Sequence, residues 1–378
     1  MDARSASLPT VGHNFCQCTI TMVIMKLLLK ILSHVTALVL VVMLIIPHFN
    51  TRLLAPLTLA FPYVVILNVI MLVLLLLSRC LIHSIEVAAV LILAFPAARR
   101  SIVIHGPISD PAEEAKELTV LTYNIQIFNN YESVEPIMTL IKDESPDILC
   151  MQEFGHYYNN RTKANNILHT LDSIYPYRHL WYKNQKAGNE SGLVLYSKYP
   201  IINKQKLEYE SAHNISVYSD IVVGDDTIRV INNHLESNKL SETERSITDN
   251  PTDTSTMKSI YRKIANTSRI RGGQADSIAS LVGRTPYPVI VLGDFNDIPQ
   301  SYTYRHILYS ENEQGESLHD AYAEAGRLGL YHTYNQHHLD VPIDHILYTK
   351  PLRAVEARII KVDFSDHYPV AVRFAIEN

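Results

Sequence analysis

Cysteine is scarce in this 378-residue chain, limited to Cys16, Cys18, Cys80 and Cys150. Only Cys150 lies in the polar part of the chain, so that part has no internal disulfide, and cysteine usage leaves the redox compartment open. Cys16 and Cys18 form a C-x-C pair with no second pair nearby, which argues against a zinc site. Net basic charge is also missing. The formal net charge is −5 and the pI about 6.4. A balance of that sign does not supply the sequence-independent affinity of a nucleic-acid-coating surface, although a local groove can still be positive. Charge of either sign nearly vanishes from Met25 to about Pro96, where Leu, Val and Ile dominate. From about Ser109 onward charges and Tyr are frequent. That second part, roughly 270 residues, is long enough to bury a substantial core.

Leu27 to Ile46, Pro56 to Leu77 and the shorter Leu81 to Ala98 are the apolar runs. Roughly 20 residues suffice for a spanning helix, and backbone groups in lipid must pair internally, so these runs are expected to be helices. Residues 25–100 are read as a transmembrane region of about three helices, with two spans as the alternative. A cleaved signal peptide is disfavoured, because the first run is too long and two more follow. Asn68 is the strongly polar residue of the second run, and Glu86 is placed near the interface. Met25-Lys26 before a Leu-rich run looks like a natural start, so residues 1–24 are expected to be a non-native or disordered extension. Lys26 and Lys30 favour a cytoplasmic N-terminus, which three spans convert into a polar domain on the outer face; Arg99 and Arg100 argue the other way. The expected location is the plasma or inner membrane, with the lipid bilayer as a partner and no obligate protein partner.

In the polar part, 105–378, short apolar runs read as buried strands: Leu118 to Tyr123, Asp147 to Met151, Gly192 to Tyr196, Val289 to Leu292, Asp344 to Tyr348 and Tyr368 to Phe374. Val217 to Val223 and Thr227 to Asn232 flank Gly224-Asp225-Asp226, a hairpin pattern. Helical spacing covers Glu132 to Asp143, Ala164 to Ser173 and Gln274 to Val282. The polar stretch Glu236 to Ile270 reads as an insertion, part helix and part loop. Strands alternating with helices make the class α/β with packed layers.

Polar residues recur at the ends of these strands. Asn124 follows the first and Gln152-Glu153 the second. Asn232-Asn233-His234 closes the hairpin, Asp294 and Asn296 follow Val289–Leu292, Asp344 opens a strand, and Asp366-His367 precedes the last. Six such clusters point to convergence at one sheet rim, where open α/β proteins bind ligands. Carboxylate oxygens suit Mg²⁺ or Mn²⁺, and no cysteine cluster offers a softer site. A metal neutralises phosphate oxygens, and a His paired with an Asp serves as acid or base near neutral pH.

The ordered set Tyr123-Asn124, Gln152-Glu153, Asn233-His234-Leu235, Gly293-Asp294-Phe295-Asn296-Asp297, Ile343-Asp344-His345-Ile346-Leu347 and Ser365-Asp366-His367-Tyr368-Pro369-Val370 resembles the endonuclease/exonuclease/phosphatase superfamily over residues 117–376. The resemblance implies a four-layer α/β sandwich, two packed mixed β-sheets flanked by helices, preceded here by an all-α transmembrane segment. It implies a Mg²⁺- or Mn²⁺-dependent phosphoester hydrolase of phosphodiesterase, nuclease or phosphatase type. On that resemblance Glu153, Asn124 and Asp366 are the metal side. Asp294 activates the attacking water, and Asn296 and His234 bind phosphate. His367, oriented by Asp344, is the catalytic His. Asp297, Gln152 and Asn233 are supports. His345 stands where many relatives carry an aromatic. The substrate stays open among a lipid head group, a nucleotide and a nucleic acid. Alternatives are a catalytically silent membrane-tethered binding domain and a dedicated sphingomyelinase-like lipid phosphodiesterase. A transporter subunit finds little support, because the spans carry few polar groups.

Overall fold

The computed structural model describes residues 11–103, 116–186, 189–209, 211, 214–249, 252–335 and 341–377. The chain packs as two units. Residues up to Ile45 together with Ala60–Ala98 form the smaller; Ile46–Leu59 and Arg99–Asn378 form the larger.

The smaller unit is three helices, α1 (Val11–Ile45), α2 (Phe61–Leu77) and α3 (Leu81–Ala98). α1 begins at Val11, within the stretch 1–24 read from the sequence as an extension; residues 1–10 lie outside the described residues. Leu40, Met43, Phe61 and Ala94 bury against one another. Asn68 is buried, and its amide nitrogen donates to Thr36 O at 3.1 Å and Val64 O at 2.9 Å within the bundle. Three apolar stretches, Thr21–His48, Ala55–Leu77 and Leu81–Ala98, are long and apolar enough to cross a membrane.

The larger unit begins β1 (Ile102–Val103), β2 (Lys116–Asn124), α4 (Gln126–Asn130), α5 (Val134–Glu144), β3 (Ile148–His156), α6 (Arg161–Ile174), β4 (Tyr177–Lys186) and β5 (Asn189–Ser197). It continues β6 (Ile201–Leu207), β7 (Ile215–Val223), β8 (Asp226–His234), α7 (Glu242–Arg245), α8 (Thr254–Gly283), β9 (Val289–Asp294) and α9 (Tyr302–Leu308). It ends β10 (His319–Asp320), α10 (Ala321–Ala325), β11 (Gly329–Leu330), β12 (Asp344–Tyr348), β13 (Leu352–Ile359) and β14 (Val370–Ile376). One six-stranded sheet has the order β10-β12-β9-β8-β7-β6, the other β13-β14-β2-β3-β5-β4. Each is antiparallel except at one central pair, β8·β9 and β2·β3.

The two sheets pack face to face. Val120, Cys150, Val230, Ile290, Leu292, Ile346 and Val372 fill the space between them. Alternate residues point the other way: Leu121, Leu149 and Met151 bury under α5 and α6, and Ile231, Val289 and Val291 under α8 and α9. Both faces of the central strands are therefore covered, which is why they read as continuous apolar runs. The result is the four-layer α/β sandwich. The second half of the polar stretch 236–270 is ordered in α8, a 30-residue helix whose buried residues Ala265, Ser268, Arg271, Ala275 and Ile278 recur every three or four positions. Asp253 caps it, accepting from the backbone N–H of Ser255 and Thr256.

The linker between α1 and α2 belongs to this larger unit. Asn50 sits over Gly272 of α8, where a Cβ would fall 2.2 Å from its amide nitrogen. The Tyr261 hydroxyl, also on α8, donates to the Leu53 carbonyl.

Candidate active site

Strand register builds the site. In the parallel pair β2·β3, Asn124 lies beside Gln152; in β8·β9, His234 lies beside Asp294, and antiparallel β12 sets Asp344 on the other side of Asp294. Both parallel pairs end at one rim, so the two sheets deliver their terminal polar residues to one place. Asn124 Nδ2 reaches across to Asp294 Oδ2 at 3.0 Å, and deeper in the same seam Gln152 Nε2 donates to Asn232 Oδ1 at 2.7 Å.

Three backbone irregularities aim the side chains. Glu153 has φ +52°, at a break in the β3·β5 register between Met151 and Phe154; such a bulge redirects the strand's last side chain. Asn296 has φ +51° in the turn after β9. Gly293 has φ +117°, and a Cβ there would meet Asn233 O at 2.2 Å. Asn233 itself donates from Nδ2 to Leu292 O and Ile231 O, so it holds β8 against β9 and does not enter the cleft.

Asp294 is buried and is the hub. Its Oδ1 accepts the Asn296 N–H at 2.8 Å; its Oδ2 accepts Asn124 Nδ2 at 3.0 Å and Asn296 Nδ2 at 3.1 Å. His234 Nε2 and His367 Nε2 each stand 3.8 Å from the same Oδ2, and His234 Nε2 is 3.7 Å from Glu153 Oε1. His367 Nδ1 bonds Asp344 Oδ2 at 2.8 Å. Asp366 lines the same cleft, its Oδ1 accepting from Ser365 Oγ, which also anchors the Asn124 carbonyl. All eight candidate residues are thus gathered at one rim.

Electrostatics follow from crowding. Burial raises the proton affinity of Asp294, opposed by His367 and reinforced by Asp344. Burial also raises that of Asp366, and Glu153 adds to it. Burial disfavours the His367 imidazolium, but the carboxylates of Asp344 and Asp294 outweigh it and hold its pKa well above the usual value. A cluster of carboxylates that drives up its own proton affinity is one that gains from a cation, and hard oxygen donors match a divalent one. Glu153 and Asp366 are the carboxylates open to the cleft. Asn124 turns its amide nitrogen toward Glu153 (3.4 Å) and Asp294, while its Oδ1 accepts the Gln126 N–H at 3.2 Å; it steers the carboxylates in this arrangement. Both Nδ2 hydrogens of Asn296 are engaged, by Leu235 O and Asp294, so a phosphate oxygen has to displace one.

The sequence pattern of the Endonuclease/Exonuclease/phosphatase family matches residues 121–367. The chain belongs to this family. With membership come hydrolysis of phosphoester bonds and the family's general dependence on a divalent metal. A search of curated proteins by sequence finds no match. Among solved structures, the chain is similar to ANGEL2, a 2′,3′-cyclic phosphatase, at 16% identity over 70% of this chain and 97% of that one, with a TM-score of 0.49. The human nocturnin catalytic domain with bound sulfate gives 17% identity, 75% and 99% coverage and 0.48. An endonuclease/exonuclease/phosphatase from Bacteroides vulgatus gives 19%, 69% and 100%, and 0.48.

Two contributors have no sequence pattern of their own. Arg271 of α8 is buried, yet binds Asp297 Oδ2 at 3.0 Å, Glu236 O at 2.7 Å and Asn238 Oδ1 at 3.0 Å, tying the ends of β8 and β9 to the helix. The Tyr334 ring packs edge-on to His367, with centroids 5.2 Å apart. Only the burial of α8's inner face could have singled out Arg271.

Proposed function

We propose that this chain is a membrane-anchored phosphoester hydrolase dependent on Mg²⁺ or Mn²⁺, with its chemistry at Asp294, His367 and His234. The observation that carries the reading is that one buried carboxylate oxygen, Asp294 Oδ2, stands 3.8 Å from both histidines and is held by two amide donors. Glu153 and Asp366 would hold the metal, with Asn124 orienting Glu153. When bound, the ion neutralises the phosphate oxygens and the charge that develops on the leaving oxygen.

Water adds to phosphorus and the bond to the leaving oxygen breaks. The proton lost by the water goes to the Asp294–His367 pair. Because His367 Nδ1 is committed to Asp344, Nε2 is the nitrogen presented to the cleft, where it stands 3.8 Å from Asp294 Oδ2. His234, on the opposite side of Asp294, contacts a phosphate oxygen and returns a proton to the leaving oxygen. Asn296 fixes the carboxylate plane and exchanges one amide hydrogen onto the phosphate. Three apolar helices support membrane anchoring, and Lys26 and Lys30 on α1 favour a catalytic unit on the outer face of the plasma or inner membrane.

The full chain, purified in lipid nanodiscs, is expected to hydrolyse bis(p-nitrophenyl) phosphate with Mg²⁺ or Mn²⁺ and to stop in EDTA. The same preparation is assayed on DNA, RNA, sphingomyelin and phosphoinositides. No metal-dependent turnover on any of them would overturn the assignment.

A further inference from the structure

The cleft that holds Asp294 has one wall the chemistry does not use. Below His234, Asp294 and His367 it holds a cavity of ≈ 230 Å³ that opens to solvent at its mouth. A phosphoryl group fills only its catalytic end. The remainder runs between α8 and the linker that precedes α2, and its sides are Ala55, Leu59, Ile247, Ile260 and Ile264. Ile260 and Ile264 are half-exposed although each is one helical turn from the other, and Leu59 is 38% exposed. Apolar side chains lining an open catalytic cleft leave water in contact with them until something apolar enters. Ala55 and Leu59 are also the opening residues of the second membrane-length apolar stretch, Ala55–Leu77. One short segment therefore serves both as cleft wall and as the beginning of a candidate span. Among the described residues, the Lys and Arg side chains lining the cleft are Lys239, Arg245 and Arg271, few for a polynucleotide backbone, and Lys239 is paired with Glu236 and Arg271 with Asp297.

We propose that the phosphoester this site hydrolyses is an amphiphile, and that its hydrocarbon portion lies between the 55–59 segment and α8 while its phosphate meets Asp294 and the histidines. The proposal rests on the hydrolase reading and adds the substrate class. Leu59, Ile260 and Ile264 are specificity-determining residues with no part in the chemistry. Each methylene removed from water contributes about fourfold in affinity, so three or four of them favour a long chain by about 10²-fold.

The test uses the full chain in nanodiscs with Mg²⁺ and three diesters sharing one leaving group: methyl p-nitrophenyl phosphate, dodecyl p-nitrophenyl phosphate and thymidine 5′-p-nitrophenyl phosphate. The expected kcat/KM for the dodecyl ester exceeds that for the methyl ester by about 10²-fold and exceeds that for the thymidine ester. Leu59→Asn and Ile264→Asn are expected to cut the dodecyl-to-methyl ratio at least fivefold with methyl ester turnover unchanged. Ile260→Asn serves if either variant loses its wild-type melting profile. A dodecyl-to-methyl ratio near one, with the methyl ester turned over, overturns the amphiphile and leaves the hydrolase standing. A high ratio that survives all the Asn variants assigns the preference to partition into the bilayer and likewise overturns it. Faster turnover of the thymidine ester selects a nucleotide substrate instead. Turnover of none of the three removes the hydrolase reading itself.

Discussion

Nδ1 of His367 lies 2.8 Å from Asp344 Oδ2, and that bond decides which ring nitrogen faces the cleft. Asp344 is buried and contributes nothing to the open surface, so its proposed role is to position His367. The residue scale thus separates two kinds of loss. Asp294→Asn and His367→Ala remove groups proposed to handle the water's proton, and each is expected to lower kcat at least about 10²-fold. Asp344→Asn keeps the shape but replaces an acceptor with an amide, so His367 loses the partner that fixes its tautomer. A fall in kcat of about 10-fold or more is expected, with KM within about twofold and an unchanged circular dichroism spectrum. Steady-state kinetics on bis(p-nitrophenyl) phosphate separate these cases, and an Asp344→Asn enzyme with wild-type kcat would refute the positioning role.

At the scale of elements, legibility in the sequence tracks burial. The central strands β2, β3, β9, β12 and β14 are covered on both faces, and each appears in the sequence as a short run dominated by apolar residues. Among the longer strands, β4, β6 and β13 carry no such run, and all three lie at sheet edges. Edge strands need no apolar residues on their outer faces; β6 reads Ile-Ile-Asn-Lys-Gln-Lys-Leu, a pattern any surface segment can carry. The 30-residue α8 was half hidden for a related reason, since its Ser- and Thr-rich first half lines the cleft instead of the core. The site residues at strand ends were legible because short motifs mark them, whereas Arg271 and the apolar wall are defined only by what packs against them. Gly293 joins both levels. Its φ of +117° and the Asn233 carbonyl 2.2 Å from a would-be Cβ leave alanine no place. Gly293→Ala is expected to force β8 and β9 apart at the strand end that presents His234 and Asp294, destabilising the larger unit by about 2 kcal/mol or more. A melting temperature within about 1 °C of wild type would contradict this account of the turn.

Across the whole sandwich, the two sheets meet at polar as well as apolar contacts. His179 on edge strand β4 bonds Ser219 Oγ on β7 at 2.9 Å, joining one sheet to the other. Burial, with a smaller contribution from Lys204, pushes its pKa down to about 4. The sign of the linkage follows. Above about pH 6.5 the imidazole is neutral folded and unfolded, and the contact contributes fully. Between 6.5 and about 4 the unfolded chain takes up a proton that the folded chain refuses, so stability falls as pH falls; below about 4 both forms are protonated and the loss levels off. The span corresponds to roughly 3 kcal/mol at most. Trp181, the chain's single tryptophan, sits two residues along β4 and reports this seam directly. Urea titrations of the nanodisc protein followed by Trp181 fluorescence are expected to show the midpoint dropping between pH 7 and pH 4.5. His179→Gln, which keeps a hydrogen-bonding side chain but cannot titrate, is expected to remove much of that slope while lowering the pH 7 midpoint only slightly. Parallel slopes in the two proteins would mean that acid destabilisation of the sandwich arises elsewhere than at this inter-sheet contact.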